Sequence, residues 1–457
     1  MKIIILGAGQ VGKTVAQALS HEDNDITVVD HQPQLLQKLE TRLDIKTVAG
    51  HAAHPDVLER AGAEDADLIL AVTNSDETNM VACQIAYTLF QTPKRLARVR
   101  SPSYLRHQEL FTPSAVPVDF IISPELLVTS SIEHLIEQTE ALQILDFAGG
   151  MARLVAVRAH SGGPLVDHEL NSLTQQAPHI ATRIVAIFRC DRAIIPDGKT
   201  VVEADDEVFF LAASRDIPDV LSAFGRSTKP TRRVIIAGGG NIGKRLAENI
   251  EKRYLVKLIE QVFKRCRDLA KSLDRTIILH GDATDASLLM EEDIKDTDIY
   301  CAVTNDDETN ILSAMQAKRL GAGKTLAIIN NPDYLDLSQG TAVDIAISPA
   351  LFTISALLTH IRRADVVTVH SLRRGAAEAI ELIAHGDRQT SQVVGRQAKK
   401  LPLPEGITIG AIVRRDELIF INSETVIESE DHLILFLVDK HQIAVVEKLF
   451  QVSSTYL

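Results

Sequence analysis

Two glycine-rich loops in this chain have the spacing that binds phosphate groups. The first, Gly7-Ala8-Gly9-Gln10-Val11-Gly12, follows an apolar run near the start of the chain. The second, Gly238-Gly239-Gly240-Asn241-Ile242-Gly243, follows a similar run near the middle. Between a strand and a helix, the first glycine permits a tight turn, the second lets backbone N–H groups approach a pyrophosphate, and the third lets the helix pack closely. One motif is a weak signal, but two copies predict two sites for adenine dinucleotides or nucleotides.

Each loop is followed by an apolar stretch that ends in a carboxylate, Asp30 in the first half and Glu260 in the second. A carboxylate at this place accepts hydrogen bonds from ribose hydroxyls and repels a 2′-phosphate. It therefore favours NAD-type ligands or ATP/ADP over NADP. The alternative is a solvated acid at a strand end, which the recurrence in both halves makes the weaker interpretation.

Polar residues also stand where the third and fourth strands of each half are expected to end. His51 and Asp282 follow the third strands, where Asp282 is a candidate contact to adenine and His51 departs from that pattern. Thr73-Asn74 and Thr304-Asn305 follow the fourth strands. Two interpretations stay open for them, because Thr and Asn at this place either contact a ligand or cap the next helix.

The two halves differ after the fifth strand. Arg98 and Arg100 stand there in the first half, and Ile328 and Asn330 take their places in the second. The two arginines either approach the phosphates of a more anionic ligand or form surface salt bridges. The first interpretation predicts that the two sites differ in nucleotide preference. We then expect the first site to discriminate between ligands and the second to be more structural.

The elements that must position these residues alternate short apolar strands with amphipathic helices, which predicts a parallel, doubly wound α/β sheet. Strand candidates in the first half are residues 2–6, 26–30, 46–48, 68–73, 95–99 and 119–122. A small α+β module follows, with β-rich segments at residues 151–158, 183–189, 192–196 and 207–213. Its duplicate spans about residues 368–450, and Ser214–Arg233, rich in turn-forming residues, is predicted to be a linker between the halves.

Composition narrows the function classes. The formal net charge of -13 argues against nucleic acid as a partner, because such binding needs a basic surface. No apolar run approaches the roughly 20 residues that span a bilayer. The four cysteines include no C-x-x-C pair and predict free, buried thiols in a reducing cytoplasm. The chain lacks the sequence motifs of P-loop, zinc-peptidase and serine-hydrolase sites, which favours a sensor. A duplicated NAD-dependent oxidoreductase is the alternative, although no proton donor for it is visible.

These motifs together resemble the RCK/KTN family, the cytosolic regulators of potassium transport. The resemblance covers essentially the full length and includes the tandem order of the domains. The resemblance is specific in its double arrangement, in which the Ala71–Asn79 block recurs as Ala302–Asn310. The other segments that carry it are Met1–Gly12, Asn24–Asp30, Gly62–Asp67 and Ala97–Arg100.

The resemblance implies two Rossmann-like RCK N-domains, at residues 1–135 and 232–355, each followed by a small α+β RCK C-domain, at 140–225 and 366–453. It further implies a non-enzymatic regulatory subunit that binds NAD(H) or ATP/ADP. Such a subunit assembles as a homo-oligomer, a dimer or a tetramer ring, and gates a membrane potassium-translocating subunit of the TrkH or TrkG type. We therefore expect a cytoplasmic protein, peripheral at the inner face of the cell membrane.

Overall fold

The structure is a computed structural model. It describes residues 1–20, 24–171, 181–190, 192–224, 230–337, 342–362, 365–372, 377–438 and 442–452. In this part of the chain the strands form two parallel and two antiparallel sheets that alternate along the sequence. The predicted fold class is therefore confirmed. The chain divides into two compact units, of which the first contains Met1–Val128 and segments that begin at Ile328 and Ile347.

The first parallel sheet has the strand order β3-β2-β1-β4-β5-β6. Its strands are β1 (Lys2–Leu6), β2 (Asp25–Asp30), β3 (Lys46–Ala49), β4 (Leu68–Ala71), β5 (Lys94–Arg98) and β6 (Phe120–Ile122). Its helices are α1 (Gln10–Leu19), α2 (Pro33–Glu40), α3 (Pro55–Ala61), α4 (Asp76–Phe90), α5 (Pro102–Leu105) and α6 (Pro124–Glu137). The order reverses between β1 and β4, and ligands of doubly wound sheets bind at this switch point.

The central strand β1 shows why this sheet is covered on both faces. Ile3, Ile4, Ile5 and Leu6 are each at most 2% exposed. A strand with one solvated face would alternate apolar and polar residues, whereas a strand of a parallel sheet lies between two layers of helices. The continuous apolar run therefore fixes the strand at the centre of the sheet, directly before the first glycine loop.

The first antiparallel sheet has the order β10-β9-β11-β8-β7. Its strands are β7 (Ala141–Phe147), β8 (Ala152–Arg158), β9 (Thr182–Arg189), β10 (Arg192–Ile194) and β11 (Glu207–Ala213). Strand β7 was missed by the sequence prediction, which placed the first β segment of the module at residue 151. A register shift between Ala141 and Gln143 interrupts the alternation on which such a prediction rests.

The predicted linker Ser214–Arg233 is wrong in its first part, which forms helix α7 (Ile217–Phe224). Pro218 lies in the first turn of this helix, where the missing N–H leaves no hydrogen bond unmade. Pro218 therefore marks the start of a helix and not a loop. The apolar side chains that α7 buries are Ile217, Val220, Leu221 and Phe224. Residues 225–229 lie outside the described residues.

The second half repeats both sheets. The parallel sheet, in the order β14-β13-β12-β15-β16-β17, contains β12 (Arg233–Ala237), β13 (Leu255–Glu260), β14 (Ile277–His280), β15 (Ile299–Ala302), β16 (Lys324–Ile328) and β17 (Ile345–Ile347). Its helices are α8 (Asn241–Ile250), α9 (Phe263–Ser272), α10 (Ala286–Glu291), α11 (Asp307–Arg319), α12 (Pro332–Leu337) and α13 (Pro349–Ile361). The antiparallel sheet and the helix after it comprise β18 (Val366–Leu372), β19 (Ala377–Ala384), β20 (Ile407–Arg414), β21 (Glu417–Phe420), β22 (Asp431–Leu437) and α14 (Ile443–Phe450).

The two antiparallel sheets bury one common apolar core. The rings of Phe209 and Phe436, one from each sheet, lie 5.7 Å apart between centroids. Gly410 permits this close approach, because a Cβ there would lie 2.1 Å from Cδ1 of Leu211. The duplicated modules are therefore packed on each other in the way that small β domains need for a sufficient core.

None of the described helices is long and apolar enough to cross a membrane. The four cysteines are free thiols, as predicted. Cys190 is exposed, however, so the expectation that all four are buried was wrong. Burial raises the pKa of the Cys83 and Cys301 thiols to about 12.

His385, which follows β19, gives the fold a pH-dependent contact. Its Nε2 lies 2.6 Å from Oδ2 of Asp365, and its Nδ1 lies 2.8 Å from Oε1 of Glu430. Burial lowers the pKa of His385, but the hydrogen bonds to the two carboxylates outweigh it and raise the pKa above its usual value. A raised folded-state pKa stabilises the fold below the unfolded pKa, and this stability disappears as the pH rises through the folded value.

We therefore expect His385→Gln to destabilise the chain by about 0.5–1 kcal/mol near pH 6 and by less near pH 9. Thermal unfolding at the two pH values measures the difference. His107→Gln is the matched control, since His107 pairs with Glu109 where both side chains are exposed. An equal loss at both pH values for His385→Gln would contradict the prediction.

Candidate nucleotide-binding sites

The outer glycines of both loops are required by the backbone itself. Gly7 and Gly238 have φ values of 111° and 110°, which favour glycine strongly. A Cβ at Gly12 would lie 1.8 Å from the carbonyl oxygen of Gly7, and one at Gly243 would lie 1.9 Å from that of Gly238. These four glycines therefore make the turn and bring the helix against the loop.

The middle glycines, Gly9 and Gly240, have a different role. Each is the residue before the first turn of a helix, α1 or α8, and no described side chain caps either helix. A Cβ at either position would meet no described atom within 4 Å. The first helical N–H groups thus have no capping side chain, and the glycine leaves room beside them, which is the arrangement that receives a phosphate. The first helical residues of these turns, also predicted to contact the ligand, are Gln10, Val11, Asn241 and Ile242.

Asp30 and Glu260 lie beside these loops and are hydrogen-bonded to them. In the first half, Ala8 N donates to Oδ2 of Asp30 at 2.7 Å and Gln32 N donates to Oδ1 at 2.8 Å. In the second half, Gly239 N donates to Oε2 of Glu260 at 2.9 Å. The acid thus connects the glycine loop to the start of the next helix, a structural role that the sequence analysis missed. Each carboxylate oxygen keeps a further acceptor site for a ribose hydroxyl.

The loop residue and the acid are matched in size within each half. Ala8 stands beside the shorter Asp30, whereas Gly239 stands beside the longer Glu260. A Cβ at Gly239 would lie 2.8 Å from Oε2 of Glu260 and 2.4 Å from Cδ1 of Leu269. Gly239 has no Cβ, and this leaves the room that the extra methylene group of Glu260 requires.

Thr73 and Thr304, at the ends of β4 and β15, each hold a buried asparagine. The Thr73 hydroxyl donates to Oδ1 of Asn79 at 2.7 Å, and the Thr304 hydroxyl donates to Oδ1 of Asn310 at the same distance. Both asparagines are completely buried. Asn79 Nδ2 in turn donates to the carbonyl oxygen of Arg98 at 2.9 Å. The recurrence of the asparagines in both copies of the repeated block was the signal that could have identified them.

The helix caps lie next to the predicted pairs. Ser75 Oγ accepts from Thr78 N, and Asp306 accepts from Thr309 N, so these residues cap α4 and α11. Asn305 is exposed beside the second cap. Thr73-Asn74 and Thr304-Asn305 are therefore not the caps themselves, and ligand contact by them stays a prediction.

Arg98 and Arg100 are engaged by acids in this geometry. Arg98 Nη2 lies 3.0 Å from Oε1 of Glu125, and Arg100 Nε lies 3.4 Å from Oδ1 of Asp76. Asp76, which the sequence analysis did not single out, is buried and also accepts from the backbone N of Arg100 at 2.9 Å. Both arginines therefore form salt bridges, although these are partly buried and not at the surface, and contact of the arginines with phosphates stays a prediction.

His51 and Asp282 are both exposed after the third strands. His51 Nδ1 accepts from Ala53 N at 3.3 Å, and Asp282 Oδ1 accepts from the backbone N and the hydroxyl of Thr284 at 2.8 Å. Among the described residues, the other oxygen of Asp282 has no hydrogen-bond partner. Asp282 thus retains an acceptor at the place where the sequence analysis expects adenine.

Two domain models match the chain twice each. The TrkA-N domain matches residues 3–124 and 234–349, and the TrkA-C domain matches residues 154–225 and 389–451. The chain belongs to the TrkA family.

Relatives agree with this assignment, and solved structures of other proteins share the fold. The Trk system potassium uptake protein TrkA of Halomonas elongata is 58% identical over 456 residues, and that of Vibrio alginolyticus is 56% identical over 458 residues. Each alignment covers 100% of both chains. The crystal structure of the GsuK RCK domain has a TM-score of 0.63 at 19% identity and covers 98% of this chain and 94% of that one. The GsuK channel has also been solved bound to NAD, with a TM-score of 0.62 at 18% identity, covering 98% of this chain and 78% of that one.

Proposed function

We propose that the chain is the nucleotide-binding regulatory subunit of a Trk-type potassium uptake system. The observation that carries the proposal is the doubled site, a glycine loop beside a hydrogen-bonded acid, in a chain that aligns over its full length with Trk system potassium uptake proteins. Duplicated sites for a small ligand suit a protein that senses the ligand.

The ligands that this site favours are NAD(H) or ATP/ADP. The helix N–H groups after Gly9 and Gly240 receive the pyrophosphate, and Asp30 and Glu260 accept from the ribose. Both carboxylates disfavour a 2′-phosphate. NAD and ADP are the first ligands to try, because GsuK, which shares the fold, has been solved with each of them.

The regulatory step is a change of conformational equilibrium. A nucleotide shifts that equilibrium only by its difference in affinity for two states of the protein. The chain acts in this way on a membrane potassium-translocating subunit of the TrkH or TrkG type. It does so as a homo-oligomer, a dimer or a tetramer ring, that lies at the cytoplasmic face of the membrane and does not turn the nucleotide over.

Rubidium uptake in cells that lack this gene tests the proposal. We expect the intact chain to restore uptake and its nucleotide dependence. Asp30→Ala removes charge-assisted hydrogen bonds of about 1.5–3 kcal/mol, so nucleotide affinity at the first site should fall at least about tenfold. We expect Asp30→Ala to impair regulation more than Glu260→Ala, because the first site discriminates between ligands.

Asp30 also holds the loop through Ala8 N, so thermal unfolding of each variant must accompany the uptake measurement. A folded Asp30→Ala chain that regulates uptake normally would contradict the role of the first site. Failure of the intact chain to restore uptake would contradict the proposed function as a whole. Equal effects of the Asp30 and Glu260 variants would contradict the division of roles between the sites.

A further inference from the structure

Arg265, on helix α9, is bonded to the second glycine loop. Its Nε donates to the carbonyl oxygen of Gly239 at 2.8 Å. The N–H of the same glycine donates to Oε2 of Glu260 at 2.9 Å. Gly239 is therefore held at its carbonyl oxygen by the guanidinium of Arg265 and at its N–H by the carboxylate of Glu260.

The guanidinium of Arg265 makes no other polar contact to the described residues. Across the residues that the structure describes, the bond to Gly239 is its single hydrogen bond, and it forms no ion pair with Glu260 or any other acid. A guanidinium has five N–H donors, so four of them are left at the rim of the loop. Arg265 is partly buried, and its bond to Gly239 fixes the guanidinium beside the loop to which the proposed function assigns a nucleotide.

Two exposed apolar residues precede Arg265 in the chain, at the start of its helix. Val262 and Phe263, at the start of α9, are 58% and 62% exposed. The ring of Phe263 contacts the ring of His280 edge to face at 5.4 Å between centroids. Asp282, with one free acceptor oxygen, follows shortly after His280. Phe263, Arg265 and Asp282 supply an aromatic ring, a planar cation and a carboxylate acceptor on neighbouring segments of the second half, and groups of these kinds recognise the face and the amino edge of an adenine ring.

The first half does not have this arrangement. Because Asp30 aligns with Glu260, Leu35 aligns with Arg265, and both residues are partly buried in helices with the same burial pattern. His51 aligns with Asp282. The first half carries Arg98 and Arg100 instead, which the second half lacks.

We propose that Arg265 is a nucleotide-contacting residue of the second site that stacks on the adenine of an adenine nucleotide while Glu260 holds its ribose. The inference rests on the proposed nucleotide binding and deepens it. The second site holds its ligand by the adenosine end and binds AMP, ADP or NAD with similar affinity. The first site, which lacks this anchor, depends more on the phosphates. This difference gives a physical reason for a discriminating first site and a more structural second one.

Calorimetric titration of the full chain with ADP tests the proposal. The chain carries Gly9→Asp, which blocks the first site, so that the titration measures ADP binding at the second site alone. Arg265→Leu places the residue of the first half at this position and removes the cation–π contact. Loss of a desolvated contact of this kind should weaken ADP binding about tenfold. Arg265→Lys keeps the charge without the planar group and should lose most of this affinity. Arg267→Leu, two residues further on the exposed face of α9, is the control and should change affinity less than about twofold.

AMP as a second probe separates adenosine contacts from phosphate contacts. We expect Arg265→Leu to weaken AMP and ADP by the same factor. A loss for ADP alone, or unchanged ADP binding in a folded Arg265→Leu chain, would overturn the proposal. So would the absence of ADP binding in Gly9→Asp when the intact chain binds it. An intact chain that binds no nucleotide at all would refute the proposed function instead, and thermal unfolding identifies any variant that fails to fold.

Discussion

Gly9→Asp should abolish nucleotide binding at the first site and leave the chain as stable as before. Gly9 is the N-cap residue of α1, with φ -67° and ψ -172°, a conformation in which aspartate is among the preferred residues. The new side chain meets no described atom within 4 Å of its Cβ. Its carboxylate accepts from the helix N–H groups that a pyrophosphate needs, and it repels the phosphates.

Two like charges about 4 Å apart at an effective dielectric constant of about 20 repel by about 4 kcal/mol, so affinity for ADP at this site should fall at least about a hundredfold. Calorimetric titration measures the number of ADP bound, and thermal unfolding measures stability. We expect one bound equivalent per chain to disappear with no fall in the melting temperature. The matched variant Gly240→Asp should remove the other equivalent.

Gly12→Asp is the control that separates loss of the site from loss of the fold. A Cβ at Gly12 would lie 1.8 Å from the carbonyl oxygen of Gly7, so the helix must move away from the loop. We expect this variant to be destabilised by at least about 3 kcal/mol, a loss typical of severe steric strain. If Gly9→Asp were destabilised equally, or if it still bound two ADP molecules, the assignment of open space above Gly9 to a phosphate would be wrong.

The parts of the fold that the sequence predicted are those determined by local pattern. The run Ile3–Leu6 is a buried strand because a central parallel strand has no solvated face, and Gly7 ends it because the turn needs a positive φ. The acids were found for the same reason, since Asp30 and Glu260 end apolar strands of their own. Each of these features is determined within a single strand, turn or helix.

The features that the sequence did not predict depend on which strand ends become neighbours in the sheet. The contact between Asp30 and Ala8 N joins the ends of two strands, and no spacing rule shows that the acid supports the loop as well as the ribose. Asn79 looks like an ordinary helical residue until β4 and β5 are placed side by side. Arg265 lies on an amphipathic helix whose pattern predicts no partner for it, and its bond to Gly239 becomes visible once the loop is built.

Arg414→Met should be among the most destabilising single changes in the chain. Asp431 is completely buried, and Arg414 binds it at both oxygens, with Nε and Nη2 each at 2.7 Å. Glu428 N donates to the same carboxylate at 2.7 Å. Removal of the guanidinium leaves a buried carboxylate without its cation, which destabilises a fold by about 3–5 kcal/mol. Thermal unfolding followed by circular dichroism measures the change.

The duplicated module supplies an internal replicate. Arg189 binds Asp206 in the same way, with Nε and Nη2 at 2.9 and 2.8 Å, and Asp206 is 1% exposed. We expect Arg189→Met to cause a similar loss, because the two modules share one apolar core.

The double variant Arg414→Met with Asp431→Leu decides whether the unpaired charge is the cause. Leucine has the same branched arrangement of four side-chain heavy atoms as aspartate and carries no charge into the core. The double variant should therefore recover part of the loss caused by Arg414→Met alone. Recovery stays incomplete because Glu428 N loses its acceptor. A double variant as unstable as the sum of both single variants would instead show that packing of the arginine stem, and not the buried charge, holds this corner of the sheet together.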